Sequence, residues 1–142
     1  MKFIYFGNKP SLLKEIDLLD VTKRWLITIK EFTELRTDLQ NRLSHVWYSD
    51  LAEGLQENTP TGYKCYCKLH FGVPILRAED DEFRSVYDKA IKGLTYENKL
   101  EIMKILPVTS LMNTKQLSEY LEAIKAHFLQ HHGFELRFPN GY

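Results

Sequence analysis

The alternation of hydrophobic and polar positions changes period along the chain, and each change predicts an element. Lys2 to Phe6 is a short β-prone run closed by Gly7-Asn8 and reads as a strand. Pro10, followed by Leu12, Leu13, Ile16 and Leu19, fits a short amphipathic helix with proline in its first turn. Between Arg24 and Lys30 the period drops to two. Trp25, Ile27 and Ile29 share one face, with Arg24, Thr28 and Lys30 on the other, the pattern of a half-buried strand.

Helical spacing then takes over. Thr37-Asp38-Leu39-Gln40 fits a capping box, with Thr37 accepting from the Gln40 N–H and the Gln40 side chain reaching back. Leu39, Leu43, Val46 or Trp47, and Leu51 recur at helical spacing up to Gly54. Asn58 to Gly62 is a polar loop containing Pro60. The segment Tyr63–Phe71 reads as a helix stopped by Gly72 and Pro74, although Tyr63, Cys65 and Cys67 alternating with lysines also fit a strand. Three further helices span Asp80 to Ile91 (ending at Gly93), Thr95 to Leu106 (ending at Pro107) and Thr114 to His132 (ending at Gly133). Leu117, Leu121, Ile124 and Phe128 form one stripe of the last. Phe134, Leu136 and Phe138 alternate with Glu135 and Arg137, as in a closing strand before Pro139.

The predicted class is α+β: a small N-terminal sheet with helices, followed by a mostly helical C-terminal half. The division falls into residues 1–77, carrying the candidate binding helix, and residues 78–142, packed together as one compact unit.

Composition narrows the function classes. The 142 residues are 44% hydrophobic and 13% aromatic, enough for a folded core and against disorder. Nineteen basic and nineteen acidic residues leave a formal charge of +0, which argues against a strongly cationic coat for duplex DNA. Cys65 and Cys67 are too close to close a structural loop, so a reducing cytosol is the expected compartment. The N-terminal apolar run is too short for a signal sequence or a membrane span.

Local charge is less even than the total. Residues 61–77 carry Lys64, Lys68 and Arg77 and no acid, interleaved with Tyr63, Tyr66, His70 and Phe71. Lysines that neutralise phosphates beside rings that stack bases are what single-strand binding requires. On the helix beginning at Thr37, Asn41, His45 and Tyr48 share a stripe with Arg42 beside it. Such groups can contact phosphate or base edges without any catalytic role. The plainer reading has Gln40 capping the helix and His45 bonding a carbonyl.

The run Gln40-Asn41-Arg42, after Thr37 and inside a helix that includes Trp47, resembles the signature helix of the NinB (Orf) family of phage recombination proteins. The preceding Trp25–Lys30 strand is similar to the one placed before that helix, and the likeness covers residues 24–56. The resemblance implies a single-stranded DNA-binding recombination accessory, or mediator, of a phage or prophage. It also implies a homodimer with a basic cleft, acting in the bacterial cytoplasm beside the host single-strand-binding protein and a phage strand-pairing protein. Gln40, Asn41 and Arg42 carry over from the motif. His45, Tyr48, Lys64 and Lys68 join the expected DNA-binding set from helix-face and charge arguments.

Competing chemistry is thinner. Cys65, Cys67 and His70 could offer soft ligands, and His127 and His131 form an i, i+4 pair, but the fourth ligand and second knuckle of a zinc site are missing. Neither a metal nor a cofactor is expected. Glu79-Asp80-Asp81-Glu82 could hold Mg²⁺ in a nuclease with His45 or His70 as base, yet Asp80 and Asp81 equally suit a helix N-terminus. No phosphate loop or nucleophile elbow is present, so no catalytic residue is assigned. The alternatives to a DNA-binding accessory are a divalent-metal nuclease of the same recombination setting and a protein–protein adaptor.

Overall fold

The computed structural model describes residues 9–29 and 36–138, with side chains for residues 10–29 and 39–138. Its contacts divide the chain into two compact units, Met1–Glu34 and Leu35–Tyr142. In the first, α1 (Lys9–Asp17) is followed by a turn in which Asp20 accepts from the Thr22 N–H at 2.9 Å and the Thr22 hydroxyl at 2.6 Å. The indole of Trp25 donates to the Asp20 carbonyl at 2.8 Å.

Among the described residues there is no strand, so the α+β expectation is corrected to a helical fold. Residues 24–29 keep the two-residue alternation but pair with no second strand among the described residues, and a ladder needs a partner. The expected strand at Lys2–Phe6 lies outside the described residues. At 134–138 the alternation is real but serves a different purpose. Phe134, Leu136 and Phe138 turn inward and Glu135 and Arg137 outward, as an extended segment laid on helices without a ladder.

The second unit holds α2 (Arg36–Leu55), α3 (Pro60–Cys67), a π-helical turn (Lys68–Gly72), α4 (Val73–Glu79), α5 (Asp81–Ala90), α6 (Tyr96–Met103) and α7 (Thr114–His132). Residues 77 and 78 both fall within α4. Local chemistry starts and stops these helices. The Thr59 side chain accepts from the Gly62 N–H at 3.0 Å, with Pro60 just inside α3. Asp80 caps α5 through the Phe83 N–H, and Thr95 caps α6 through the Asn98 N–H. Asn113 and Gln116 close a reciprocal capping box at the start of α7. Gly133, at φ 62°, ends α7 in the left-handed region where a Cβ is costly.

Gly72 and Pro74 do not stop the helix. The Val73 N–H reaches back to the Lys68 carbonyl, five residues away, so the backbone widens by one residue and continues. Proline has no N–H to give and its ring crowds the carbonyl four residues earlier. The wide turn places Pro74 in the first turn of α4, where both features are tolerated. Gly72 is needed for a second reason: a Cβ there would sit 2.6 Å from Val108 Cγ1.

The α3–π-turn–α4 rod is packed by α2, α5, α6 and α7, and α2 lies directly on α7. The core is built from Leu43, Trp47 and Leu51 of α2, Cys67 and Leu76 of the rod, and the predicted α7 stripe of Leu117, Leu121, Ile124 and Phe128. At the alternative left open on α2, Trp47 is buried and Val46 is exposed.

Candidate nucleic-acid interface

Helix α2 turns Gln40, Leu43, Ser44, Trp47, Tyr48 and Leu51 inward. Of the apolar side expected from sequence, Leu43, Trp47 and Leu51 are buried and Leu39 is exposed. The inward face also takes in Gln40 and Tyr48, and with Lys68 of the π-turn three of the seven candidate residues fall inside. Gln40 is buried; its Nε2 donates to Ser118 Oγ on α7 at 2.7 Å, and its Oε1 has no partner among the described residues. The amide is therefore a tertiary contact, not a cap reaching back; the Thr37 side chain lies outside the described residues. Tyr48 is buried with its hydroxyl 2.6 Å from that of Tyr120, and burial pushes both phenols up from their ordinary values.

Lys68 is the third. Its ammonium donates to the Met103 carbonyl at the C-terminal end of α6, where orphan carbonyls and the helix dipole favour a cation. Burial lowers its pKa, and the neighbouring Lys64 charge lowers it further. Its position is that of a structural clasp between the π-turn and α6.

The other four candidates face outward. Arg42 and His45 are exposed, and Asn41 and Lys64 are half-buried. Burial holds the His45 imidazole below its usual value, and the Lys64 charge on α3 adds to that, so the lysine disfavours a charge on the imidazole. Among the described residues, neither is bonded to a carboxylate. The structure thus brings His45 and Lys64 together across α2 and α3, with Asn41 and Arg42 on the same helix as His45, and takes Gln40, Tyr48 and Lys68 into the core.

The interleaving of lysines and rings along residues 61–77 also separates in space. At 100° per residue, the turns of α3 send Tyr66 toward His127 of α7 while Lys68 reaches α6. Tyr66 joins a cluster that sequence spacing did not reveal. Its hydroxyl is 3.1 Å from His127 Nε2 and its ring centre is 4.2 Å from that of His70. His70 Nε2 lies 2.8 Å from the Tyr96 hydroxyl of α6. Phe71 lies 5.0 Å from His127, and His131 and His132 lie 4.8 and 6.0 Å from it. Four of the five histidines of the chain meet here. The i, i+4 pair on α7 was visible in the sequence; its meeting with Tyr66, 61 positions earlier, was not.

The remaining candidate chemistry is occupied elsewhere. Cys65 and Cys67 are buried free thiols pushed up by that burial, which suits packing rather than nucleophilic attack or ligation. Glu79 accepts from Gln116 Nε2 at 2.8 Å, Asp80 caps α5 and Asp81 pairs with Arg84 at 2.7 Å. Among the described residues no group of three or more histidine, cysteine or acidic side chains is arranged to hold a metal ion. No described helix is long and apolar enough to cross a membrane. Comparison with known proteins gives no match to a protein family, a curated protein or a solved structure.

The imidazoles set a pH dependence. His70 is held below its usual value by burial, and His127 by burial and then by His131, His132 and His70. An imidazole with a folded-state pKa below its unfolded value of about 6.5 binds protons more readily when unfolded. Its contribution is therefore complete above that value and declines as pH falls toward the folded-state value. Urea midpoints are expected to fall steadily below pH about 6.5, with a shallower fall in His127→Gln. An identical acid profile in that variant would remove His127 from the account.

Proposed function

We propose that this protein binds single-stranded DNA through the outward face of α2 and α3, as an accessory in phage or prophage recombination. The observation that carries the reading is that Asn41, Arg42, His45 and Lys64 stay at the surface of adjoining helices, with no carboxylate bonded to His45 or Lys64 among the described residues. Cationic side chains at a surface gain from anions laid against them, and a phosphodiester chain supplies a row of such anions. Arg42 adds a guanidinium that can pair with phosphate and stack on a base, and Asn41 an amide for a base edge. The resemblance of Gln40-Asn41-Arg42 to the NinB signature helix supports the recombination setting. In that setting the chain acts as a homodimer in the bacterial cytoplasm, beside a host single-strand-binding protein and a strand-pairing protein.

A salt series on a labelled thymidine oligonucleotide, with a duplex of equal length alongside, tests the reading. Two phosphate contacts per chain, from Arg42 and Lys64, give a slope of log affinity on log salt of about −1.4, at about 0.7 per contact. Arg42→Ala is expected to weaken binding and flatten the slope by about 0.7. A parent protein that fails to retain the oligonucleotide in low salt, or binds it with a flat salt response, overturns the proposal.

A further inference from the structure

The cluster around Tyr66 holds more imidazole than packing requires, and much of it faces outward. His70, His131 and His132 are exposed, Tyr96 is 46% exposed, and Tyr66, Phe71 and His127 are half-buried. We propose that this imidazole–tyrosine surface is a second contact for single-stranded nucleic acid, stacking bases on its rings and holding phosphates once its imidazoles take up protons. This rests on the reading of the protein as a single-strand binder.

Three features carry it. First, rings from the rod, α6 and α7 converge: Tyr66 and His70, then Tyr96, then His127 and His131, with neighbouring centres 4.2 to 5.8 Å apart. Accessible ring faces are the usual platform for unpaired bases, and stacking tolerates any base. Second, the groups facing the imidazoles are mostly rings and phenols, with one carboxylate, Glu97, near enough to act on Tyr96. α3 supplies the Tyr66 phenol, with the buried Cys67 thiol behind it; the π-turn supplies His70; α6 supplies Tyr96, with Glu97 beside it in sequence; and α7 supplies His131 and His132. Among the described residues no carboxylate bonds any of these imidazoles. Third, burial holds His70 and His127 below their usual values, and at His127 the neighbouring imidazoles add to this, so an anion brought against the cluster favours proton uptake. Phosphate binding and proton uptake then favour each other reciprocally. For each imidazole whose pKa rises by one unit on binding, affinity gains up to about tenfold across its titration.

The test is oligonucleotide binding at pH 8.0 and pH 6.0, at fixed ionic strength and with a chelator present to exclude metal bridging. A thymidine 20-mer and an abasic 20-mer are compared on the parent, on His45→Gln, and on a combined His70→Gln, His127→Gln, His131→Gln variant. The parent is expected to bind the thymidine oligomer at least about tenfold more tightly at pH 6.0. His45→Gln should keep most of that gain, and the combined variant should fall below about threefold. The abasic oligomer should bind the parent more weakly at both pH values. A full gain in the combined variant, or pH-independent binding by the parent, overturns this inference and leaves the α2–α3 reading standing. No binding at either pH overturns both. Should the combined variant not fold, the histidine ring signals of the parent decide. Their titrations must move to higher pH on adding the oligonucleotide, and unmoved titrations overturn the inference.

Discussion

Trp47→Ala is expected to lower the unfolding free energy by about 3–5 kcal/mol, the range for deleting a large aromatic side chain from a packed core. The indole is fully buried on α2, its Nε1 donates to the Arg137 carbonyl at 3.0 Å, and its ring meets Phe138 edge-on at 5.2 Å between centres. Its removal leaves a cavity and deprives the Arg137 carbonyl of its donor, so two penalties act together. The indole also tethers the extended tail. Amide exchange at residues 134–138 is therefore expected to rise by more than the global loss of stability explains. Urea denaturation and hydrogen exchange read both effects. A loss under about 1 kcal/mol, with the tail still protected, would show that α2 and the tail are not joined through this ring.

Lys68→Ala is expected to cost about 2–4 kcal/mol, from a charge-assisted hydrogen bond and the packing of the lysine stem. The ammonium holds the Met103 carbonyl where α6 ends, and without it that carbonyl stays buried with one partner fewer. Desolvation of the charge offsets part of the gain, as its lowered pKa shows, which keeps the figure at this scale. A thermal melt unchanged from the parent would remove the clasp between the π-turn and α6.

Helix ends were legible from the sequence wherever one residue type performs the ending or the capping. Asp80, Thr95 and Gly133 act within a few positions of themselves, and their roles can be read without the rest of the chain. The α7 stripe was legible for a similar reason, since four apolar residues at helical spacing leave one face to bury. The strands expected at Arg24 to Lys30 and Phe134 to Phe138 were misread because alternation reports a two-faced extended segment and not its partner. Phe134 to Phe138 has the two faces but rests on helices. At Gly72-Pro74 the stop signal was overridden by a widened turn that both residues permit. At the candidate site the sequence placed the helix and its apolar side, Leu43, Trp47 and Leu51, but not the breadth of the buried face. A glutamine, a tyrosine and a lysine were read as surface polar groups, whereas each is buried and bonds a partner more than thirty positions away: Ser118, Tyr120 and Met103.

Lys64 and Lys68 lie one helical turn apart, and the account gives them opposite roles: phosphate contact for the first, internal clasp for the second. The most direct measurement is the salt dependence of single-strand binding in Lys64→Gln and Lys68→Met, each below its own melting temperature. Lys64→Gln should melt as the parent does and flatten the slope by about 0.7. Lys68→Met should melt earlier and keep the parental slope. A flattened slope in Lys68→Met, or a parental slope in Lys64→Gln, would contradict the assignment of the binding face.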